Sequence, residues 1–321
     1  MTAEELPATS VPLPWQSETW QRLYEQFEQQ RLPHALLLTG VQHTGKSRLA
    51  MALARLLLCE TPVAGHNCGQ CHPCELSQAG SHGDFKWLEP EGKSRAIKVD
   101  QIREIVEFSG KTAGFGVRKV VVLAPAEAMN PNAANALLKS LEEPPANTYI
   151  ILVCHRPQAL PATVRSRCQR FPLPSPPETQ SVEWLTQLTG DQASSEQLLS
   201  LAQGRPMLAA SYYTAGDSEV AAAVPRALDA LMAGSATVPD VSAVLAKLPV
   251  DDAVGQLGQW LQQLLRKDGE TRQLGVRSRA FFSLLDEVHR LAAVLGAGSN
   301  PNPKLLLDSL LARFGRELGA R

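Results

Sequence analysis

Ala35-Leu36-Leu37-Leu38-Thr39-Gly40-Val41-Gln42-His43-Thr44-Gly45-Lys46-Ser47 is the stretch that decides the fold. Its first four residues are apolar without alternation, as in a parallel strand buried on both faces. Gly40 to Ser47 then fits the phosphate-loop pattern G-x-x-x-x-G-K-[ST] at every fixed position. In that motif backbone N–H groups and a helix N-terminus cradle phosphates, so Gly40, Thr44, Gly45, Lys46 and Ser47 are the candidate nucleotide-binding residues. Lys46 would reach the β/γ oxygens and Ser47 would ligate magnesium. Behind the loop, Leu49, Leu53, Leu56 and Leu57 recur at helical spacing, so strand, loop and helix follow in the required order. Whether ATP or ADP occupies the loop stays open, because the turn can persist as structure alone.

Working outward, Trp20, Leu23, Tyr24 and Phe27 predict an amphipathic helix ahead of this strand. Further strands are expected at Phe85–Leu88, Lys119–Leu123 and Thr148–Val153, with helices near Asp100–Phe108 and Pro131–Leu141 between them. This alternation implies a parallel sheet covered by helices, an α/β domain over residues 1–172. Phe171-Pro172-Leu173-Pro174-Ser175-Pro176-Pro177 then places four prolines within seven residues, a poor interior for any regular element. Beyond it the chain reads as helical, with breaks at Gly204-Arg205-Pro206 and Gly216-Asp217. We expect a small helical domain over 173–215 and a larger all-α domain over 216–321. The last helix carries an apolar stripe from Leu305 to Phe314 that needs a partner.

Composition narrows the function classes. With 321 residues, 44% hydrophobic and 20% charged, the chain is an ordinary globular one, and more than one domain is expected. Lys and Arg number 31 against 32 Asp and Glu, so no global basic excess favours free nucleic-acid binding. No apolar run approaches the roughly 18 residues of a membrane span, and Met1 to Trp15 has neither a basic segment nor an apolar signal core. The expectation is a cytoplasmic protein with no membrane partner.

Hydrolysis needs more than the loop. An acidic residue at the end of a neighbouring strand holds magnesium, and a second carboxylate orients the attacking water. Here the strand Lys119–Leu123 runs into Ala124-Pro125, where an Asp-Glu pair is required; Glu127 is the nearest acid, beyond a proline. The site is therefore expected to be hydrolytically silent. Cys59, Cys68, Cys71 and Cys74 follow C-x8-C-x2-C-x2-C within residues 59–74. Four thiolates at that spacing suit tetrahedral, structural Zn2+, with His66 or His72 as alternative ligands for one position. Finally, Pro161-Ala162-Thr163-Val164-Arg165-Ser166-Arg167-Cys168 places arginines on a short turn after the last central strand. On residue type alone these are solvated charges, or with Arg156 and Arg170 a patch for a DNA backbone.

Taken together, Pro33-His34-Ala35-Leu36-Leu37, the four-cysteine insert, Asn135-Ala136-Leu137-Leu138-Lys139-Ser140-Leu141-Glu142-Glu143-Pro144-Pro145 and Ser166-Arg167-Cys168 resemble the clamp-loader subunits of bacterial DNA polymerase III, a branch of the AAA+ proteins. Lack of the Asp-Glu pair resembles the delta-prime type within that family rather than the ATP-hydrolysing gamma/tau type. The resemblance spans residues 33–168. It implies an AAA+ P-loop domain with a zinc insert, a helical lid and a C-terminal collar. It also implies a hetero-pentameric ring with gamma/tau and delta subunits that loads the sliding clamp onto primed DNA. Ser166-Arg167-Cys168 matches the family's Ser-Arg-Cys motif, so Arg167 would act in trans on ATP bound by the adjacent subunit, and the four cysteines match the family's zinc module. This chain departs from active relatives at Val153-Cys154-His155-Arg156, where a polar sensor is expected, and at Met207, where a second sensing arginine is expected. Its intact P-loop departs from delta-prime subunits in which the loop is degraded.

Two other readings stand beside this one. A self-sufficient ATPase would use Lys46, Ser47 and Glu127, and the missing strand-end acids argue against it. A zinc-dependent nucleic-acid-binding module would need basic or aromatic residues between Cys68 and Cys74, where only Gly69, Gln70, His72 and Pro73 join Cys71.

Overall fold

The structure is a computed structural model that describes residues 7–92, 94–270, 278–296 and 302–318. Two compact units divide the chain: Met1–Trp184 with Arg205–Met207, and Leu185–Gly204 with Leu208–Arg321.

In the first unit, five strands, β1 (Ala35–Thr39), β2 (Phe85–Leu88), β3 (Lys119–Leu123), β4 (Thr148–Cys154) and β5 (Gln169–Pro172), form one sheet in the order β2-β3-β4-β1-β5. Every pairing is parallel, with Leu37 opposite Leu152 and Val121 opposite Ile150. The helices of this unit are α1 (Ser17–Glu28), α2 (Lys46–Leu58), α3 (His72–Gln78), α4 (Val99–Gly110), α5 (Pro131–Glu142) and α6 (Ala162–Arg165), and α7 (Glu178–Thr189) begins in it.

Successive strand residues point to opposite faces, and this splits the core in two. Leu36, Leu38, Val120, Val122, Ile151 and Val153 meet Leu49, Leu53 and Leu56 of α2 and Trp20 and Leu23 of α1. Ala35, Leu37, Val121, Leu123, Ile150 and Leu152 meet Ile102 and Ile105 of α4 and Leu137 and Leu141 of α5. Burial on both faces is why β1 and β3 read as unbroken apolar runs.

Strands β2, β3 and β4 stand where the apolar runs predict them, with β4 one residue longer. Strand β5 was not anticipated. Phe171 is the one buried residue among its four, so no apolar run marks it; it is an edge strand, and Pro172 sits where a missing N–H leaves no ladder bond broken. The chain then leaves the sheet through Leu173, which donates its N–H to Thr39 O at 2.7 Å, and residues 173–177 are without regular structure, as the prolines require. The C-terminal ends of β1 to β4 form one rim, the rim at which parallel sheets build their ligand clefts.

The second unit is helical: α8 (Gln192–Leu201), α9 (Pro206–Ala215, whose first residues belong to the first unit), α10 (Ser218–Met232), α11 (Val238–Leu245), α12 (Val250–Glu270), α13 (Ser278–Gly296) and α14 (Pro303–Leu318). Helix α14 packs against α11 and α13. Leu310 and Phe314 of the expected stripe are buried there, Phe314 stacked on Trp260 at 5.9 Å, whereas Leu305 is exposed. Much of the stripe therefore finds its partner within the chain. Among the described residues no helix is long and apolar enough to cross a membrane.

Candidate functional site

The phosphate loop leaves β1 at Gly40 and enters α2 at Lys46, with His43 at φ 61° and Gly45 at φ 88°. Gly45 is needed twice over. Its φ lies in the left-handed region, and a Cβ there would run into Leu13 Cδ1. Leu13, Trp15 and Gln16 belong to an N-terminal strap that grips the loop from outside. Trp15 Nε1 donates to Thr44 O at 2.9 Å, and Gln16 Nε2 donates to the same oxygen at 3.3 Å. Thr44 Oγ1 turns inward to donate to Val41 O at 2.8 Å. Lys46 is 2% exposed, and its Nζ donates to Gly40 O at 2.8 Å and to Val41 O.

A cleft of about 290 Å³ opens beside the loop. Of the five predicted residues, Gly45, Lys46 and Ser47 line it, while Gly40 and Thr44 shape the turn beneath. Arg48, Trp87, Glu89, Ala124, His155 and Met207 complete the wall. Met207, at the expected second-sensor position, donates its backbone N–H to His43 O at 3.1 Å. Burial pulls the Lys46 ammonium down to about 8, opposed by Glu127. Burial, followed by Lys46, pushes His155 down to about 3; burial, followed by Arg205 and Lys46, pushes His43 down to about 4. Arg48 lies over the Trp184 ring at 5.9 Å. With the N-terminus of α2, these groups make an electropositive cleft of the kind that accepts phosphate.

The acids are placed otherwise. Strand β3 ends in Ala124 and Pro125 against the cleft. Glu127 turns its carboxylate to the end of β4, accepting from His155 N at 3.0 and 3.2 Å and from Arg156 N at 3.1 Å. Glu89, just past β2, is the acid lining the cleft among the described residues. Neither it nor Trp87 carries a motif, and only the sheet order, which sets β2 beside β3, brings them to the site.

Cys59, Cys68, Cys71 and Cys74 converge, their Sγ atoms all within 4.8 Å of one another. The Cys59–Cys71 and Cys68–Cys74 separations are both 3.9 Å, far beyond a disulfide. They match the edge of about 3.8 Å that a tetrahedron of Zn–S bonds near 2.3 Å would have. N–H groups point at the sulfurs as they do at thiolates: Cys68 N to Cys59 Sγ at 3.2 Å, Cys71 N to Cys68 Sγ at 3.3 Å, and Asn67 Nδ2 to Cys74 Sγ at 3.5 Å. The donor set fits a metal ion, with structural zinc as the compatible choice. His66 instead stacks on Trp20 at 5.6 Å. The insert does not project free, because Asn67 accepts from Ser10 N at 2.8 Å and donates to Ala8 O at 2.8 Å in the strap.

Arg167 stands on the turn after α6, its side chain 33% exposed. Its guanidinium pairs with Glu142 at the end of α5 and donates from Nη1 to Thr163 O at 2.9 Å. The other arginines of this region are held by their own chain. Arg165 Nη1 donates to Pro157 O at 2.9 Å, and Arg170 Nε donates to Thr39 Oγ1 at 3.2 Å.

Comparison with known proteins agrees with this architecture. The family described as DNA polymerase III, delta subunit, matches residues 15–177. A Pseudomonas aeruginosa protein, DNA polymerase III subunit delta', is 43% identical over 68% of this chain and 66% of its own length. The Escherichia coli protein of the same name is 36% identical over 78% of this chain and 74% of its own. Among solved structures, a DNA polymerase III gamma subunit-related protein from Thermotoga maritima superposes with a TM-score of 0.50 at 21% identity, covering 94% of this chain and 99% of that one, a likeness of fold. The chain thus belongs to the family of DNA polymerase III delta' subunits.

Proposed function

We propose that this chain is a non-hydrolysing member of a clamp-loader ring, which it forms with gamma/tau and delta subunits. In that ring Arg167 completes the ATP site of an adjacent gamma/tau subunit. The observation that carries the reading is the end of β3: the strand beside the P-loop finishes in Ala124-Pro125, and Glu127 is committed to the backbone of His155 and Arg156. A phosphate loop so equipped can hold ATP or ADP through Gly45, Lys46 and Ser47 yet lacks the strand-end acid that hydrolysis uses. Arg167 lies at the surface of the same unit, where a neighbour's phosphates can reach it. Loading of the sliding clamp onto primed DNA, a cytoplasmic address, a lid within 173–215 and a collar within 216–321 belong to the same reading. Zinc on Cys59, Cys68, Cys71 and Cys74 would act as a structural cross-link.

The test is clamp- and primed-DNA-stimulated ATP hydrolysis by the chain rebuilt with gamma/tau and delta partners, with the chain alone as blank. A silent blank and a steep loss with Arg167→Ala, assembly intact by native mass, support the reading. Full activity with Arg167→Ala defeats it. One observation favours a self-sufficient ATPase instead, namely Glu89 in the cleft. Hydrolysis by the chain alone, abolished by Glu89→Gln, would establish that alternative.

A further inference from the structure

The Arg167 guanidinium is oriented by its own chain. Nε and Nη2 both donate to Oε1 of Glu142, and Nη1 donates to Thr163 O at 2.9 Å. A guanidinium carries five N–H donors in a rigid planar fork: one on Nε and two on each terminal nitrogen. Three are engaged in this way. The two that remain are one on Nη1 and one on Nη2, both on terminal nitrogens. Two such donors match the oxygens of a phosphate in a bidentate contact.

We propose that Glu142 is a positioning residue: it grips one side of the Arg167 guanidinium and leaves the terminal N–H groups for the phosphoryl group of a nucleotide held by a neighbouring subunit. The proposal deepens the reading of Arg167 given above and rests on it. Two elements fix the pose. Glu142 is the last residue of α5, whose start is capped by the Asn130 side chain accepting from Ala133 N at 2.8 Å. Thr163 lies in α6, and Arg167 N donates to Val164 O at 3.2 Å, so the side chain and its own backbone are tied to the same turn. The Glu142 side chain is 47% exposed. An ion pair this open adds little to folding stability, so its consequence lies in orientation. An unrestrained arginine samples many rotamers, and one held in a single pose has already lost that freedom before the phosphate arrives.

The opposite role is a distinct outcome. If Glu142 held the arginine back, its removal would speed the reaction.

The test measures DNA-stimulated ATP turnover by the rebuilt complex for wild type, Glu142→Ala, Glu142→Gln, Arg167→Ala and the double variant Glu142→Ala/Arg167→Ala. We expect Glu142→Ala to lower kcat roughly 5-fold with KM unchanged, a value between wild type and Arg167→Ala. Glu142→Gln, whose amide oxygen still accepts from Nε, should recover most of the loss. It also keeps the test open if the alanine variant fails to assemble. Adding Glu142→Ala to Arg167→Ala should change nothing further, because the two act as one unit. The proposal is overturned if Glu142→Ala matches or exceeds wild type while Arg167→Ala is impaired. It is likewise overturned if Glu142→Ala lowers the rate on top of Arg167→Ala, the mark of a structural role. A fully active Arg167→Ala complex would defeat the reading of Arg167 itself.

Discussion

Glu127 accepts the backbone N–H of His155 with both carboxylate oxygens, at 3.0 and 3.2 Å, and thereby closes the end of β4. Its side chain is 2% exposed, and it also accepts from Arg156 N. The nearest acid to the missing Asp-Glu position is thus a structural cap. Glu127→Ala would leave two backbone donors unmatched beside the sheet. We predict a loss of about 1–3 kcal/mol in urea denaturation, with an unchanged m-value if the fold stays cooperative.

The four-cysteine cluster and the strap are one construction. Asn67, between the cysteines, holds Ser10 and Ala8, and Arg55 of α2 holds Pro7 O at 2.6 Å and Ser10 Oγ at 2.7 Å. The same strap reaches the phosphate loop through Trp15 and Gln16. Purified protein should carry one zinc per chain by elemental analysis. Chelation, or Cys74→Ser, should lower Tm and raise amide exchange over residues 7–16 as well as 59–74. Exchange that rises in 59–74 alone would separate the strap from the metal.

The histidines of the cleft give a pH dependence whose sign is fixed. His155 and His43 titrate at about 3 and about 4 in the folded chain, held neutral first by burial. In the unfolded chain each binds a proton near 6.5, so between those values the unfolded state holds more protons and stability falls as pH falls. The loss should begin near pH 6.5 and reach about 1 kcal/mol per histidine at pH 5.5. Urea titrations at pH 7.5 and 5.5 measure it, and His155→Gln should reduce the difference.

These predictions show where the sequence speaks and where it is silent. The run Ala35–Leu38 with the motif behind it announces β1, the loop and α2 because every signal there is local. The cysteines are legible for a similar reason, since tight spacing brings the ligands together. What escaped depends on distant partners. Glu127 meets a backbone 28 residues on, and Arg167 meets Glu142 across 25 residues. The strap reads as an unremarkable proline-containing start, yet Leu13, Trp15 and Gln16 are buried at 2%, 6% and 0% exposure because the phosphate loop lies beneath them. Strand β5 has too few apolar residues to betray an edge position. Glu89 and Trp87 become cleft residues through strand order alone.

The central claim is that this subunit serves a neighbour's nucleotide rather than turning over its own. The most direct measurement compares DNA-stimulated ATP turnover by two rebuilt complexes, one carrying Lys46→Ala and the other Arg167→Ala. The account predicts that Lys46→Ala, which disarms the home loop, leaves turnover near wild type, and that Arg167→Ala removes most of it. Turnover lost with Lys46→Ala and retained with Arg167→Ala would contradict the account.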